Sequence, residues 1–114
     1  MGVMPDLKGR VCLVTGGGRG IGRAISLALA EAGGDVAINF RTRADDALAT
    51  RTTIETLGRR AMTVQADVSL GAEMRAMMAD VTSRLGPIDV LVNNAGQAVR
   101  RGVADLTEAD FDHT

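Results

Sequence analysis

Four short apolar runs recur along the chain with a longer stretch between each pair: VCLVT (11–15), DVAINF (35–40), AMTVQA (61–66) and IDVLVN (88–93). The runs carry β-branched residues with few charges, the pattern of strands covered on both faces rather than wetted on one. The stretches between them repeat at helical spacing. Ile21, Ala24, Ile25, Ala28, Leu29 and Ala32 form one apolar stripe, which Gly33-Gly34 brings to a stop. A second helix is expected over 44–57, with Ala47, Leu48, Ile54 and Leu57 on its inner side and Gly58 after it. Met74, Met77, Met78, Val81 and Leu85 mark a third, closed by Gly86-Pro87; methionine at this spacing is adaptable core filler rather than a functional cluster.

Strands and helices that alternate through short links require parallel pairing with right-handed crossovers. The expected fold class is therefore α/β, an open doubly wound parallel sheet in the order βαβαβαβ with strand order 3-2-1-4. TEADF (107–111) reads as the opening of a further helix, with Thr107 as its N-cap and Asp110 three residues on. The pattern is that of one partial domain over 1–114 whose C-terminal part is missing. In that arrangement the run at 88–93 is an unpaired apolar edge, so the 114 residues alone are expected to be poorly soluble or partly disordered near the C-terminus.

Charge and cysteine usage exclude several classes of function. The net charge is −1, with Lys and Arg scattered along the chain, so neither a nucleic-acid footprint nor a polybasic membrane patch is present. No apolar run approaches the roughly 18 residues of a membrane span, and the first residues lack a secretory apolar core. The single Cys12 falls inside the first apolar run and reads as a buried, inert thiol, consistent with a reducing cytoplasmic setting. His113, the only histidine, reads as a solvated side chain, and no metal site is expected.

The link between the first run and the first helix, TGGGRGIG (15–22), holds five glycines in eight residues. A glycine-rich turn from strand into helix places unpaired helix N–H groups where an anion can meet them. The spacing is G-x-x-x-G-x-G. Gly16 would permit the sharp turn, Gly20 a close approach to a pyrophosphate, and Gly22 tight helix packing. The other reading is a tight turn that holds no ligand.

Dinucleotide folds that choose NAD carry an acid at the tip of the second strand, where it bonds the ribose 2′-hydroxyl. Here the tip reads NFRTR, with Arg41 in that place and Arg43 following, while Asp45 and Asp46 fall into the next helix's first turn. Arg19, within the glycine loop, lies on the same side. Guanidiniums near a 2′-position favour a 2′-phosphate, hence NADP over NAD. Asp67, after the third strand, could accept a bond from an adenine amino group with Val68 against the ring. The plainer reading is a helix-entry turn with Ser69 as N-cap and Asp67 helping, and the two roles can hold at once.

VNNAG (92–96), taken with TGGGRGIG and ADV (66–68), resembles the short-chain dehydrogenase/reductase superfamily over about Leu7 to Phe111. The texture of LKGRV, GRAISLALAEAG and PIDVLVNNAG is most similar to NADP-dependent members such as 3-oxoacyl-(acyl-carrier-protein) reductases. The resemblance implies the N-terminal, cofactor-binding half of a Rossmann-type domain. It implies a phosphate cradle at Gly16, Gly18, Arg19, Gly20, Ile21 and Gly22, a cofactor-selecting Arg41, and adenine contacts from Asp67 and Val68. Asn94, Ala95 and Gly96 match the segment beside the nicotinamide-side ribose, and Asn93 the asparagine that ties the central sheet together.

The same resemblance implies an oxidoreductase that moves a hydride between NADPH and a ketone or secondary alcohol, in a homo-oligomeric parent enzyme. Its proton chemistry would need a Ser and a Y-x-x-x-K pair. The chain contains no Tyr, and its only lysine is Lys8, near the start. No residue is therefore assigned a catalytic role, and the 114 residues alone are expected to be inactive. A non-catalytic nucleotide-binding or interaction module is the competing reading.

Overall fold

All five residues of Val11–Thr15 are buried, and they form the central strand, β1. The structure, a computed structural model, describes residues 6–94 and the backbone of 105–107. Helix α1 (Gly20–Glu31) leads to β2 (Asp35–Phe40), α2 (Ala44–Thr56) to β3 (Ala61–Gln65), and α3 (Gly71–Leu85) to β4 (Val90–Asn93). A last strand, β5, spans Asp105–Thr107. The sheet runs β3-β2-β1-β4-β5 with every described pairing parallel, Leu13 lying opposite Ala37 on one side and Leu91 on the other.

Side chains alternate across the central strand, as the pleat requires. Cys12 and Val14 face α1 and α2, packing with Ile25, Leu29, Ala47 and Ile54. Val11 and Leu13 face α3 and meet Met77 and Val81. Leu13, Ile25, Ile38 and Ile54 are fully buried, each contributing about 1.5–3 kcal/mol relative to exposure. Because α1 and α2 cover one face and α3 the other, the chain's direction across the sheet reverses between β1 and β4. Open α/β sheets form their ligand crevice at such a reversal, outside the C-terminal strand ends.

The expected order 3-2-1-4 is present, with corrections around it. The run at 88–93 is not an unpaired edge, since β5 pairs along β4 from Leu91 to Asn93. Thr107 is a strand residue rather than a helix cap, and the helix expected after it lies outside the described residues, as does His113. Strand β4 starts at Val90, because Asp89 bonds β1 from outside the ladder: its N–H donates to the Val11 carbonyl (2.8 Å) and its carboxylate accepts from the Val11 N–H (2.9 Å). The inner face of α1 is Gly22, Ile25, Ser26, Leu29 and Ala30, rotated by one residue from the expected stripe, which leaves Ile21 exposed. On α2 the inner residues are Ala47, Thr50 and Ile54, whereas Leu48 and Leu57 face outward. Leu70, not Ser69, precedes α3 as its cap residue.

Cys12 is fully buried, and burial pushes its thiol up to about 11 from an ordinary 9.0, with the negative charges of Asp89 and Asp35 adding to the shift. The folded chain thus holds this proton more tightly than the unfolded chain. The stabilisation is complete below pH 9.0 and is lost as pH rises toward about 11, since the unfolded state ionises first. Denaturant melts should show an alkaline loss of stability across that window that is smaller in Cys12→Ala. Identical pH profiles for the two proteins would contradict it.

Candidate functional site

Leaving β1, the chain turns at Gly16 (φ +63°) and runs through three glycines whose carbonyls are all drawn inward. The Gly16 oxygen accepts from Asn94 Nδ2 (3.1 Å), that of Gly17 from Ser26 Oγ (3.1 Å), and that of Gly18 from Thr50 Oγ1 (2.8 Å). From the other side, the Gly16 N–H donates to Asn39 Oδ1 (3.2 Å) and the Gly17 N–H to the Asn39 carbonyl (3.0 Å). In a trans peptide the N–H points opposite to the preceding carbonyl. The N–H groups of Gly18 and Arg19 are therefore turned away from Ser26 and Thr50, and neither has a hydrogen-bond partner among the described residues.

Helix α1 begins immediately afterward. Arg19 supplies no side-chain cap, and the first turn holds no acid, whereas α2 carries Asp45 and Asp46 there and α3 carries Glu73. Among the described residues, nothing in its cap or first turn thus compensates the positive end of α1. Close packing explains three of the glycines, among them Gly17, whose Cβ would lie 2.8 Å from Ser26 Oγ and 3.0 Å from Val14 Cβ. A Cβ on Gly18 would lie 2.8 Å from the backbone of Ala47, and one on Gly22 would overlap the Gly16 carbonyl oxygen. Gly20 is different: its φ is +58°, and the space its Cβ would occupy is open.

A cleft of about 350 Å³ opens between this loop and the tip of β2, with Gly16, Gly18 and Arg19 on one wall and Phe40, Arg41 and Arg43 on the other. Arg43 is paired with Asp46 (3.2 Å), while Arg19 and Arg41 have no carboxylate partner among the described residues. Gln65 Nε2 donates to the Arg41 carbonyl (3.1 Å) and fixes the tip against β3. Beyond β3, Asp67 accepts from the Ser69 hydroxyl (2.6 Å) and N–H (3.0 Å). These bonds, with the Arg41 guanidinium adding to them, hold its carboxyl below the usual carboxylate range. Asp67 thus serves a helix-entry turn, and its neighbour Val68 packs partly on the α3 side of the core.

The structure accordingly gathers Gly16, Gly18, Arg19 and Arg41 around one cleft, with Gly20, Ile21 and Gly22 in the adjoining helical turn and Asp67 one strand further on. Asn94 sits at the end of β4, its N–H bonded to Thr15 Oγ1 (2.8 Å) and its Oδ1 buried with no partner among the described residues. Asn93 Oδ1 accepts from the same Thr15 hydroxyl (3.3 Å), so both asparagines tie β4 to β1. Ala95 and Gly96 lie outside the described residues.

The family model for the short chain dehydrogenases matches residues 10–114. The chain belongs to this family. Among curated short-chain dehydrogenases, it is 43% identical over 106 residues to a short-chain dehydrogenase/reductase of Armillaria gallica, covering 92% of this chain and 41% of that one. It is 42% identical over 100 residues to a 3-oxoacyl-(acyl-carrier-protein) reductase of Staphylococcus epidermidis, covering 88% and 41%. Among solved structures, a Burkholderia cenocepacia short chain dehydrogenase in complex with NADP matches with a TM-score of 0.78 and 45% identity, over 94% of this chain and 44% of that one. The chain thus spans about two fifths of the length of the short-chain dehydrogenases it matches.

Sequence reasoning missed Asn39, Ser26 and Thr50, which hold the glycine loop of this short-chain dehydrogenase chain in place. Asn39 sits inside an apolar run, and the two hydroxyl residues lie on the buried faces of α1 and α2; the only signal in each was a small polar residue at an inward position. Among the described residues no group of three or more His, Cys, Asp or Glu could hold a metal, and no helix is long and apolar enough to cross a membrane.

Proposed function

We propose that this chain binds NADP(H) through TGGGRGIG, as the cofactor segment of an oxidoreductase acting on a ketone or secondary alcohol in a homo-oligomeric whole protein. The observation that carries the reading is the glycine loop: three successive carbonyls turned inward beside a helix N-terminus with no acid in its first turn and two guanidiniums that, among the described residues, have no carboxylate within ion-pair distance. These residues fit a dinucleotide. The open space at Gly20 accommodates a pyrophosphate, the Gly18 and Arg19 N–H groups would meet its oxygens, and the orphaned Asn94 Oδ1 is an acceptor for a ribose hydroxyl. When bound, the nicotinamide supplies or takes the hydride. The chain's own residues hold and orient it, and none of the 114 is given a part in proton transfer.

Arg41 and Arg19 support the choice of NADP. A 2′-phosphate beside them would gain charge-assisted bonds worth about 1.5–3 kcal/mol each. Titration should therefore find NADPH bound at least about tenfold more tightly than NADH, with Arg41→Ala narrowing the gap by about tenfold. Equal affinities in the unchanged protein would sink the preference. The complex of the Burkholderia cenocepacia relative with NADP supports the same reading.

A further inference from the structure

Thr50 lies fully buried on the inner side of α2, between Ala47 and Ile54, where an apolar residue would pack as well. Its hydroxyl instead donates toward the Gly18 carbonyl (2.8 Å), with its own helix's Asp46 carbonyl (3.0 Å) as the competing acceptor. Arg23, on α1, donates through Nη1 to Thr50 Oγ1 (2.8 Å) and through Nη2 to Thr53 Oγ1 (3.4 Å). Arg23 has no carboxylate partner among the described residues, so both of its described side-chain contacts are to hydroxyls on α2.

Resting on the NADP(H) reading above, we propose that Arg23 and Thr50 are positioning residues for the phosphate loop. They set the tilt of the Gly18–Arg19 peptide, and with it the affinity for the dinucleotide, without choosing between NADP and NAD. The argument has three steps. A hydroxyl has one proton, and the guanidinium donating into Oγ1 makes that proton a stronger donor to the Gly18 oxygen. The peptide is planar, so a carbonyl held inward holds the Arg19 N–H outward. Gly18 already touches α2 so closely that a Cβ would meet the Ala47 backbone at 2.8 Å, so the loop has no freedom to settle elsewhere on that helix. Selection between the cofactors rests on the guanidiniums of Arg41 and Arg19, which the side chains of Thr50 and Arg23 do not bond.

The test measures the affinities of NADPH and NADH for the unchanged protein, Thr50→Val, Thr50→Ser, Arg23→Met and Arg41→Ala, each below its own melting transition. Thr50→Val should weaken both dinucleotides by about tenfold with their ratio unchanged, because the loop loses a buried bond whichever cofactor is present. Thr50→Ser should restore binding to within about twofold, and Arg23→Met should weaken both by about threefold. Arg41→Ala should move the ratio. A Thr50→Val protein that melts lower but binds both cofactors as before has only a structural residue at 50, which overturns the proposal; so does a change in the ratio. Should Thr50→Val fail to fold, Arg23→Met decides: equal weakening supports the device and unchanged binding overturns it. Binding of neither dinucleotide by the unchanged protein would overturn the NADP(H) reading itself.

Discussion

Gly22→Ala should lower stability by about 3 kcal/mol and weaken dinucleotide binding severely. Helix propensity argues the other way, since Ala in a helix interior is favoured over Gly by about 1 kcal/mol. The surroundings decide the sign. An added Cβ overlaps the Gly16 carbonyl oxygen and lies 2.6 Å from Asn94 Nδ2, the group that bonds this oxygen. The obstacle is backbone, so it cannot rotate out of the way as a side-chain end could. To admit the methyl group, Gly16 must leave its turn at φ +63°, and the Asn94 bond goes with it. Overpacking of this kind costs about 1–3 kcal/mol, and the lost buried bond places the substitution at the upper end of that range. Thermal melts should show a fall on the order of 10 °C. An unchanged or raised Tm would mean that propensity wins and that the turn is softer than its contacts indicate.

The glycine turn was legible in the sequence, whereas the residues that hold its shape were not, and the difference is physical. Strands β1 and β2 announce themselves because burial on both faces leaves little room for polar residues, and β3 and β4 follow as short apolar runs that are less fully covered. Helix α1 was legible as a helix, but its inner face was misjudged by one residue. Two of its inward positions are Gly22 and Ser26, one kept small by the Gly16 carbonyl and the other polar because it bonds the Gly17 and Gly22 carbonyls. An apolar pattern passes over both and settles on Ile21 and Ala24, which are exposed. Thr50 misled in the same way on α2, where Leu48 and Leu57 drew the eye outward. Strand β5 was invisible because it is only three residues long and its place is set by pairing with β4. The arginines at 19 and 41 were legible by position, and a cleft does bring them together.

Asn39→Leu should cost about 2–4 kcal/mol although the two side chains are close in size. Asn39 is buried at the end of β2, and its amide spans the junction between the glycine loop and β3. Its Oδ1 accepts from the Gly16 N–H (3.2 Å), and its Nδ2 faces the carbonyls of Ala66 (3.2 Å) and Val64 (3.4 Å). Leucine would gain from apolar burial, as the neighbouring Val36 and Ile38 do on the same strand. Against that gain stand a donor and at least one acceptor left without partners in a buried place, about 1–3 kcal/mol each. Two such losses outweigh one side chain's transfer energy, so the net effect is destabilising. Asn39→Asp separates the two halves of the amide: it keeps an acceptor for Gly16 but turns a carboxylate oxygen toward the Ala66 and Val64 carbonyls. It should therefore be less stable than Asn39→Leu at neutral pH. Denaturant unfolding of the three proteins checks the order. If Asn39→Leu matches the unchanged protein, the orphaned groups find other partners, and the loop is held by Asn94, Ser26, Thr50 and the main-chain bond from Gly17 to residue 39.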